Sequence, residues 1–349
     1  MSDEIILITG GTGFIGIKVL QTALRAGYHV RAAVRSESRA LAVLGTSTIR
    51  AIDPKERLRF EIVPDILADN AYDKAVQGVK YIVHIASPVI KGSGFTAEQF
   101  ETHIIHPAIK GTQSILAAAI KTPSVKRIIF TSSVAGIVPF DQFVINEVDT
   151  VFDDKSEVVP LLSGPYSSPL EAYAASKAHC LNIIKKFVQQ KQPHWDIINI
   201  IPGLVIGDNQ MIENPKLICD GTVAAALAQI LGGDSGWGSV PSTSVHVDDV
   251  AWLHIQSLNS NIQGNQSFLA ISGGEKGTTW EEAIQIVNRH FPEAVKKGIL
   301  PNNGTATTKK VKIDSSRTEK VFGFKFKSYE EQVCSVVDKY LQLLGEPTA

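Results

Sequence analysis

Ile5-Ile-Leu-Ile-Thr9, then Gly10-Gly-Thr-Gly13-Phe-Ile-Gly16, then Ile17-Lys-Val-Leu20 is a β-branched apolar run that breaks into glycines and resumes as a helix-forming segment. The pattern is that of a strand, a tight turn and a helix. Gly10 lets the chain leave the strand at a backbone angle that side chains resist, Gly13 lets a pyrophosphate approach the backbone, and Gly16 lets the helix pack closely on the strand. The helix start at Phe14 and Ile15 offers unpaired N–H groups and a partial positive charge to an anion. The spacing is one residue longer in its first gap than the common Gly-x-Gly-x-x-Gly fingerprint. A glycine triplet alone also fits a purely structural turn; its place between a predicted strand and a predicted helix favours a phosphate site.

Working outward, Gly27 ends the helix and Tyr28–Val34 reads as a second strand, which completes one right-handed βαβ unit. The residue after that strand separates the two nicotinamide dinucleotides. An acidic side chain there takes the ribose hydroxyls of NAD, whereas an arginine accommodates the 2′-phosphate of NADP. This chain has Arg35, then Ser36, and Arg39 one helical turn later. The expected cofactor is therefore NADP. Glu37 between the arginines leaves open a second reading, a solvated basic pair at a helix start.

Further strands are expected at Leu58–Val63, Tyr81–Ala86, Val125–Thr131 and Trp195–Ile201. Asp65 and Ile66 follow the first of these, where an adenine would lie; Asp65 suits the exocyclic amine and equally suits a helix cap. Ala86 is small enough, with Ser87 and Pro88 beside it, for a cofactor to pass over the strand end. A helical segment from Thr96 to Ile120 contains Pro107, which must kink or divide it. Ser132-Ser133 lie just beyond a strand's carboxyl end, where open α/β sheets place their ligands. Residues 135 to 169 lose periodicity, so this long loop is either disordered or functional. Ser168 opens a long helix running to about Lys191, and beyond Pro202-Gly203 the alternation loosens. The expected fold is α/β, a doubly wound parallel sheet of the Rossmann type over residues 1–200 with 240–262 returning to it. A smaller α+β substrate-binding part takes 201–239 and 263–349.

The chain has 349 residues, 44% of them hydrophobic, and a formal net charge of -1. That size allows a large core, and the charge makes no case for nucleic acid or an anionic membrane. No leader, membrane span or metal motif is legible, so a cytoplasmic protein without metal is expected. Cys180, Cys219 and Cys334 are too few and too scattered for a disulfide framework, and the Asn265 and Asn303 glycosylation patterns are at chance level.

Tyr173 and Lys177 are four apart on the predicted helix and share a face. A free tyrosine titrates at about 10, and a nearby cation favours the phenolate, which makes a usable acid at neutral pH. A Ser133 hydroxyl facing the same crevice would hold a carbonyl oxygen and share its developing charge.

The glycine turn, Thr131-Ser-Ser133, Tyr173-x-x-x-Lys177 and Pro202-Gly203, in that order, resemble the extended short-chain dehydrogenase/reductase superfamily. Arg35 with Arg39, Ala86-Ser87-Pro88 and Pro107-Ala-Ile-Lys-Gly111-Thr resemble its branch of dihydroflavonol, cinnamoyl-CoA and fungal NADPH-dependent carbonyl reductases. The resemblance covers residues 1 to about 255 well and the rest loosely. It implies that Ser133 orients a carbonyl, that Tyr173 protonates its oxygen as hydride arrives, and that Lys177 binds the nicotinamide ribose. Thr131, Pro202 and Val205 would adjoin the nicotinamide. Phe95, Pro139, Phe140, Leu204 and Trp237 would build an apolar substrate pocket, a set that fits local packing equally well. His103 and His106 read as a surface pair. His246 with Asp248 and Asp249 resembles a structural segment of the family. Two other functions remain: an NAD-dependent sugar-nucleotide epimerase or dehydratase, and an NADP-sensing regulatory protein without turnover. The expected partner is a small carbonyl substrate, and monomers and homodimers both occur among similar proteins.

Overall fold

A computed structural model of the protein describes residues 4–87 and 96–348, with the backbone alone for Ala97 and Glu98. Seven short strands make the central sheet: β1 (Ile5–Thr9), β2 (His29–Val34), β3 (Leu58–Ile62), β4 (Tyr81–His84), β5 (Arg127–Thr131), β6 (Asp196–Pro202) and β7 (Gln266–Ala270). Their order is β7-β6-β5-β4-β1-β2-β3. In β1, Leu7 stands opposite Arg31 of β2 and Ile82 of β4, both in parallel register. The order of the chain reverses between β1 and β4, so the crevice at their carboxyl ends, Thr9 and His84, is the switch point where such sheets take ligands. Ile6, Leu7 and Ile8 are all inaccessible to solvent. A strand covered on both faces reads as a continuous apolar run rather than an alternating one, and that is why β1 was legible.

The principal helices are α1 (Phe14–Arg25), α2 (Glu37–Gly45), α3 (His106–Ile120), α4 (Pro169–Lys191) and α5 (Val247–Gln256). Pro107 stands in the first turn of α3, where its missing N–H costs nothing. The segment before it runs into α3 without a break: Ala97–Phe100 is one helical turn, Glu101–Ile105 is a wider π-helical turn, and His106 N–H reaches back five residues to the Glu101 carbonyl. Leu7, Ile82, Ile115, Ile128 and Trp195 meet in one core between sheet and helices.

The chain forms two compact units, one of residues 1–140, 155–201 and 251–268, the other of 141–154, 202–250 and 269–349. In the second unit three parallel strand pairs form, Leu204–Ile206 with Ser244–His246, Ser239–Pro241 with Thr307–Lys309, and Val151–Phe152 with Lys312–Ile313. The last pair organises a stretch that sequence periodicity left as loop. Lys309 Nζ donates to Asn146 O at 2.7 Å, Arg317 bonds Asp154 at 2.8 Å, and Lys312 pairs with Asp149. Residues 141–154 therefore lie in the second unit, which the expected division at residue 201 did not separate. The terminal helix Tyr329–Leu344 starts at Ser328, whose hydroxyl and Glu331 cap each other.

Asp249, at the start of α5, accepts the Lys327 N–H at 2.8 Å. Burial raises its carboxyl to about 6 from 3.8, with Lys327 opposing the rise. The folded state thus holds this proton more tightly than the unfolded chain does. The stability it contributes is full below pH 3.8 and lost as pH rises through about 6. Asp249→Asn keeps an acceptor oxygen but cannot ionise. It is expected to raise unfolding stability by ~2 kcal/mol near pH 7.5 and to change it little near pH 4. Urea unfolding at both values checks this; an equal effect at both would remove the titration as its cause.

Candidate active site

Gly10 has φ +75°, and a Cβ there would lie 2.7 Å from the Ala86 backbone nitrogen. Gly16 is just as constrained, because its Cβ would stand 2.0 Å from the Gly10 carbonyl oxygen. That carbonyl also accepts the Gly13 N–H at 3.0 Å, which closes the turn. Gly13 differs from both. A Cβ there meets only the Gly10 oxygen at 3.4 Å, an ordinary contact, so the protein itself does not require glycine at this position. The missing side chain leaves a cradle at the start of α1, which has no side-chain cap and no acidic residue in its first turn. Those features fit a dinucleotide pyrophosphate.

The strand ends beside the turn are cross-linked. Thr9 Oγ1 accepts the Ala86 N–H at 3.2 Å and lies 3.0 Å from His84 Nδ1. The hydroxyl keeps both its proton and a second lone pair, so which group donates in that contact is set by the imidazole tautomer. Burial pushes His84 down to about 3, and the Lys177 ammonium acts in the same direction. This neutral histidine escaped the sequence reading, where it looked like one more residue of a strand.

Arg35 and Arg39 are both exposed, just past β2 and in the first turn of α2, and neither meets a carboxylate among the described residues. Asp65 Oδ1 accepts the Leu67 N–H at 2.8 Å, so its turn-capping role is present. Ile66 packs toward Gly111 of α3.

Ser133 extends the chain beyond β5 with its hydroxyl accepting the Ala135 N–H at 3.3 Å, which caps a single tight turn over Val134–Gly136. Gly136 is the contact that sets the site. A Cβ there would lie 2.9 Å from Lys177 Cβ and 3.0 Å from the Lys177 carbonyl carbon, so only glycine lets this turn seat on α4. α4 itself starts at Ser168, whose hydroxyl accepts the Glu171 N–H. On it Lys177 is buried, with its ammonium 5.6 Å from the centre of the Tyr173 ring and 3.4 Å from the Thr131 carbonyl. His84, Ala86, Ser87, Thr131, Ser132 and Lys177 line one cavity. The ends of β4 and β5 and Lys177 of α4 thus meet at one cavity, whose lining does not include Ser133 or Tyr173. Gly136 was the signal missed, because it stood at the edge of a segment with no periodicity.

Pro202 closes β6, and Leu204 and Val205 are buried in the strand that follows. Trp237 is 46% exposed, Pro139 and Phe140 are half-buried, and Phe95 lies outside the described residues. His103 and His106 are exposed and bond locally, to the Gln99 carbonyl and to Glu101. No metal-holding group of three exists among the described residues, and no described helix is long and apolar enough to cross a membrane.

Residues 6–269 match the NAD dependent epimerase/dehydratase family. The ketoreductase CTB6 of Cercospora nicotianae is 34% identical over 98% of this chain and 96% of its own length. Yeast methylglyoxal/isovaleraldehyde reductase Gre2 complexed with NADPH is similar in structure, with a TM-score of 0.79 at 22% identity over 98% of this chain and 100% of that one. Vestitone reductase from alfalfa gives 0.72 at 23% identity over 98% and 99%. At such identities the structural likeness speaks for the fold.

Proposed function

This chain belongs to the NAD dependent epimerase/dehydratase family, the extended short-chain dehydrogenase/reductases, and from that premise we propose that it reduces an aldehyde or ketone to the alcohol with NADPH. The observation that carries the reading is the seating of the Ser133 turn on α4 at Lys177, one helical turn from Tyr173. When bound, the nicotinamide supplies the hydride that reaches the carbonyl carbon.

The residues of the chain do the rest. Gly10, Gly13 and Gly16 with the N-terminus of α1, including Phe14 and Ile15, hold the pyrophosphate; Arg35 and Arg39 take the 2′-phosphate. Ser133 holds the carbonyl oxygen in place by a hydrogen bond that strengthens as negative charge develops there. The Tyr173 hydroxyl releases its proton to that oxygen, and the Lys177 ammonium stabilises the phenolate left behind. Lys177 also binds the nicotinamide ribose. Ala86, Ser87 and Thr131 adjoin the nicotinamide, and Pro139 and Phe140 serve the substrate.

NADP rather than NAD is supported by an exposed Arg35, in place of an acid, as the residue directly after β2; Glu37 comes two residues later. Arg35→Ala is expected to raise the Michaelis constant for NADPH by about 10- to 100-fold, the scale of a charge-assisted hydrogen bond. The constant for NADH should move by no more than about twofold. Steady-state kinetics with both cofactors checks this, and equal effects would reassign the arginine to the solvated surface.

The family description also names epimerases and dehydratases, which favours one second reading, an NAD-retaining enzyme of that kind. Loss of NADPH absorbance against a panel of aldehydes and ketones, with NADH in parallel, separates the two. Oxidation with several carbonyls supports the reductase. No oxidation with any of them turns the reading toward the epimerase, or toward a protein that binds the cofactor without turnover.

A further inference from the structure

We infer that His254 is a positioning residue of this site, acting on Lys177 through Thr131; the inference rests on the reading that Tyr173 and Lys177 carry the chemistry. Thr131 ends β5 and is bonded on two sides. Its hydroxyl lies 2.7 Å from His254 Nε2, and its carbonyl accepts from Lys177 Nζ at 3.4 Å. The peptide bearing that carbonyl is tied on its far side, where Ser132 N–H donates to the Ile200 carbonyl of β6 at 2.8 Å. Thr131 itself is in register with Ile200. The peptide plane is thus anchored by β6, the threonine rotamer is anchored by His254, and the ammonium hangs from the carbonyl between them.

Two physical points give this arrangement a purpose. His254 is 0% exposed on α5, and a hydroxyl facing an imidazole at that depth carries a desolvation cost that an apolar pair would not. What the pair gains is one fixed rotamer at the strand end. The second point is the length of the lysine bond. At 3.4 Å it is near the limit of a hydrogen bond, so a small movement of Thr131 releases the ammonium. Lysine has a flexible stem and three rotatable donors, and its placement depends on what accepts from it. A residue that fixes the acceptor therefore fixes the cation beside Tyr173.

The test uses Thr131→Val, His254→Phe, His254→Gln and the double variant Thr131→Val with His254→Phe. Thr131→Val removes the bond from the strand side while leaving the ring in its space. Each of Thr131→Val and His254→Phe should lower kcat about tenfold, the scale of one lost neutral hydrogen bond, with the Michaelis constant for the carbonyl within about twofold. The double variant should be no worse than either, because both remove the same bond. His254→Gln, which can still bond the hydroxyl, should recover most of kcat. Losses that multiply in the double variant, or a kcat within about twofold of the parent in Thr131→Val, overturn the inference. If His254→Phe does not fold, Thr131→Val and His254→Gln decide it alone. If the parent protein turns over no carbonyl, the reductase reading fails, and the inference is read instead from the NADPH dissociation constant. Lys177 then serves the ribose alone: a weakening of about threefold or more in His254→Phe that His254→Gln recovers supports the positioning role, and an unchanged constant in His254→Phe overturns it.

Discussion

Tyr173→Phe is expected to lower kcat by ~10³-fold or more, within the range that a positioned general acid contributes, while NADPH binds as before. Among the described residues the Tyr173 hydroxyl has no hydrogen-bond partner, so its removal orphans nothing. The helix around it is held by other means, the Ser168 cap and the tight packing of Ala172, Ala174 and Ala175. Thermal stability should therefore stay within about 1 °C, because the change removes neither packing nor a bond. Fluorescence titration with NADPH, a melting curve and turnover with the best carbonyl substrate together read the result. A variant within about tenfold of the parent in kcat would remove Tyr173 as proton donor.

A second large effect is expected at Gly16, and its force comes from contrast with Gly13. Gly16→Ala puts a methyl 2.0 Å from the Gly10 carbonyl oxygen and 2.9 Å from Gly11 Cα, both rigid backbone. The turn must open, at a cost of ~2 to 4 kcal/mol, and the melting temperature should fall by about 5 °C or more even without cofactor. Gly13→Ala meets only one atom at 3.4 Å. It should leave the melting temperature of the free protein within about 1 °C yet weaken NADPH binding at least tenfold, because the methyl occupies the cradle that the pyrophosphate needs. Full-strength NADPH binding by Gly13→Ala would place the cofactor elsewhere.

Most of what fixes the site is local, and local features are legible in a sequence. The strand and glycine turn from Ile5 to Gly16 and the arginine after β2 announce themselves within a few residues. Tyr173 and Lys177 stand out through helical spacing together with the order of the motifs around them, since the spacing alone occurs by accident on many helices. What was not legible depends on partners far away in the chain. Gly136 is required by Lys177, forty-one residues later, and a sequence shows no clash. His254 bonds Thr131 from α5, and His84 bonds Thr9 from a neighbouring strand; each looked like an ordinary residue of its own element. Asp65 is an instructive middle case, because its residue type suggested an adenine contact or a helix cap, and its bond to Leu67 caps a turn that no helix follows. The long stretch after Ser133 was opaque for the same reason as Gly136, since Val151–Phe152 has too little pattern to announce a strand without Lys312–Ile313 beside it.

That pairing also bears on how the protein is made. A ribosome emits Val151 long before Lys312, and at roughly 10 residues per second the intervening chain takes about a quarter of a minute to appear. During that interval residues 141–154 have no strand to join and no Lys309, Lys312 or Arg317 to bond. The first unit can close once Phe268 has emerged, but residues 141–154 stay without these partners until Lys309, Lys312 and Arg317 have been synthesised. Ser133, Tyr173 and Lys177 can therefore be in place on the nascent chain while residues 141–154, which lie between Ser133 and Tyr173 in sequence, are still waiting for their partner.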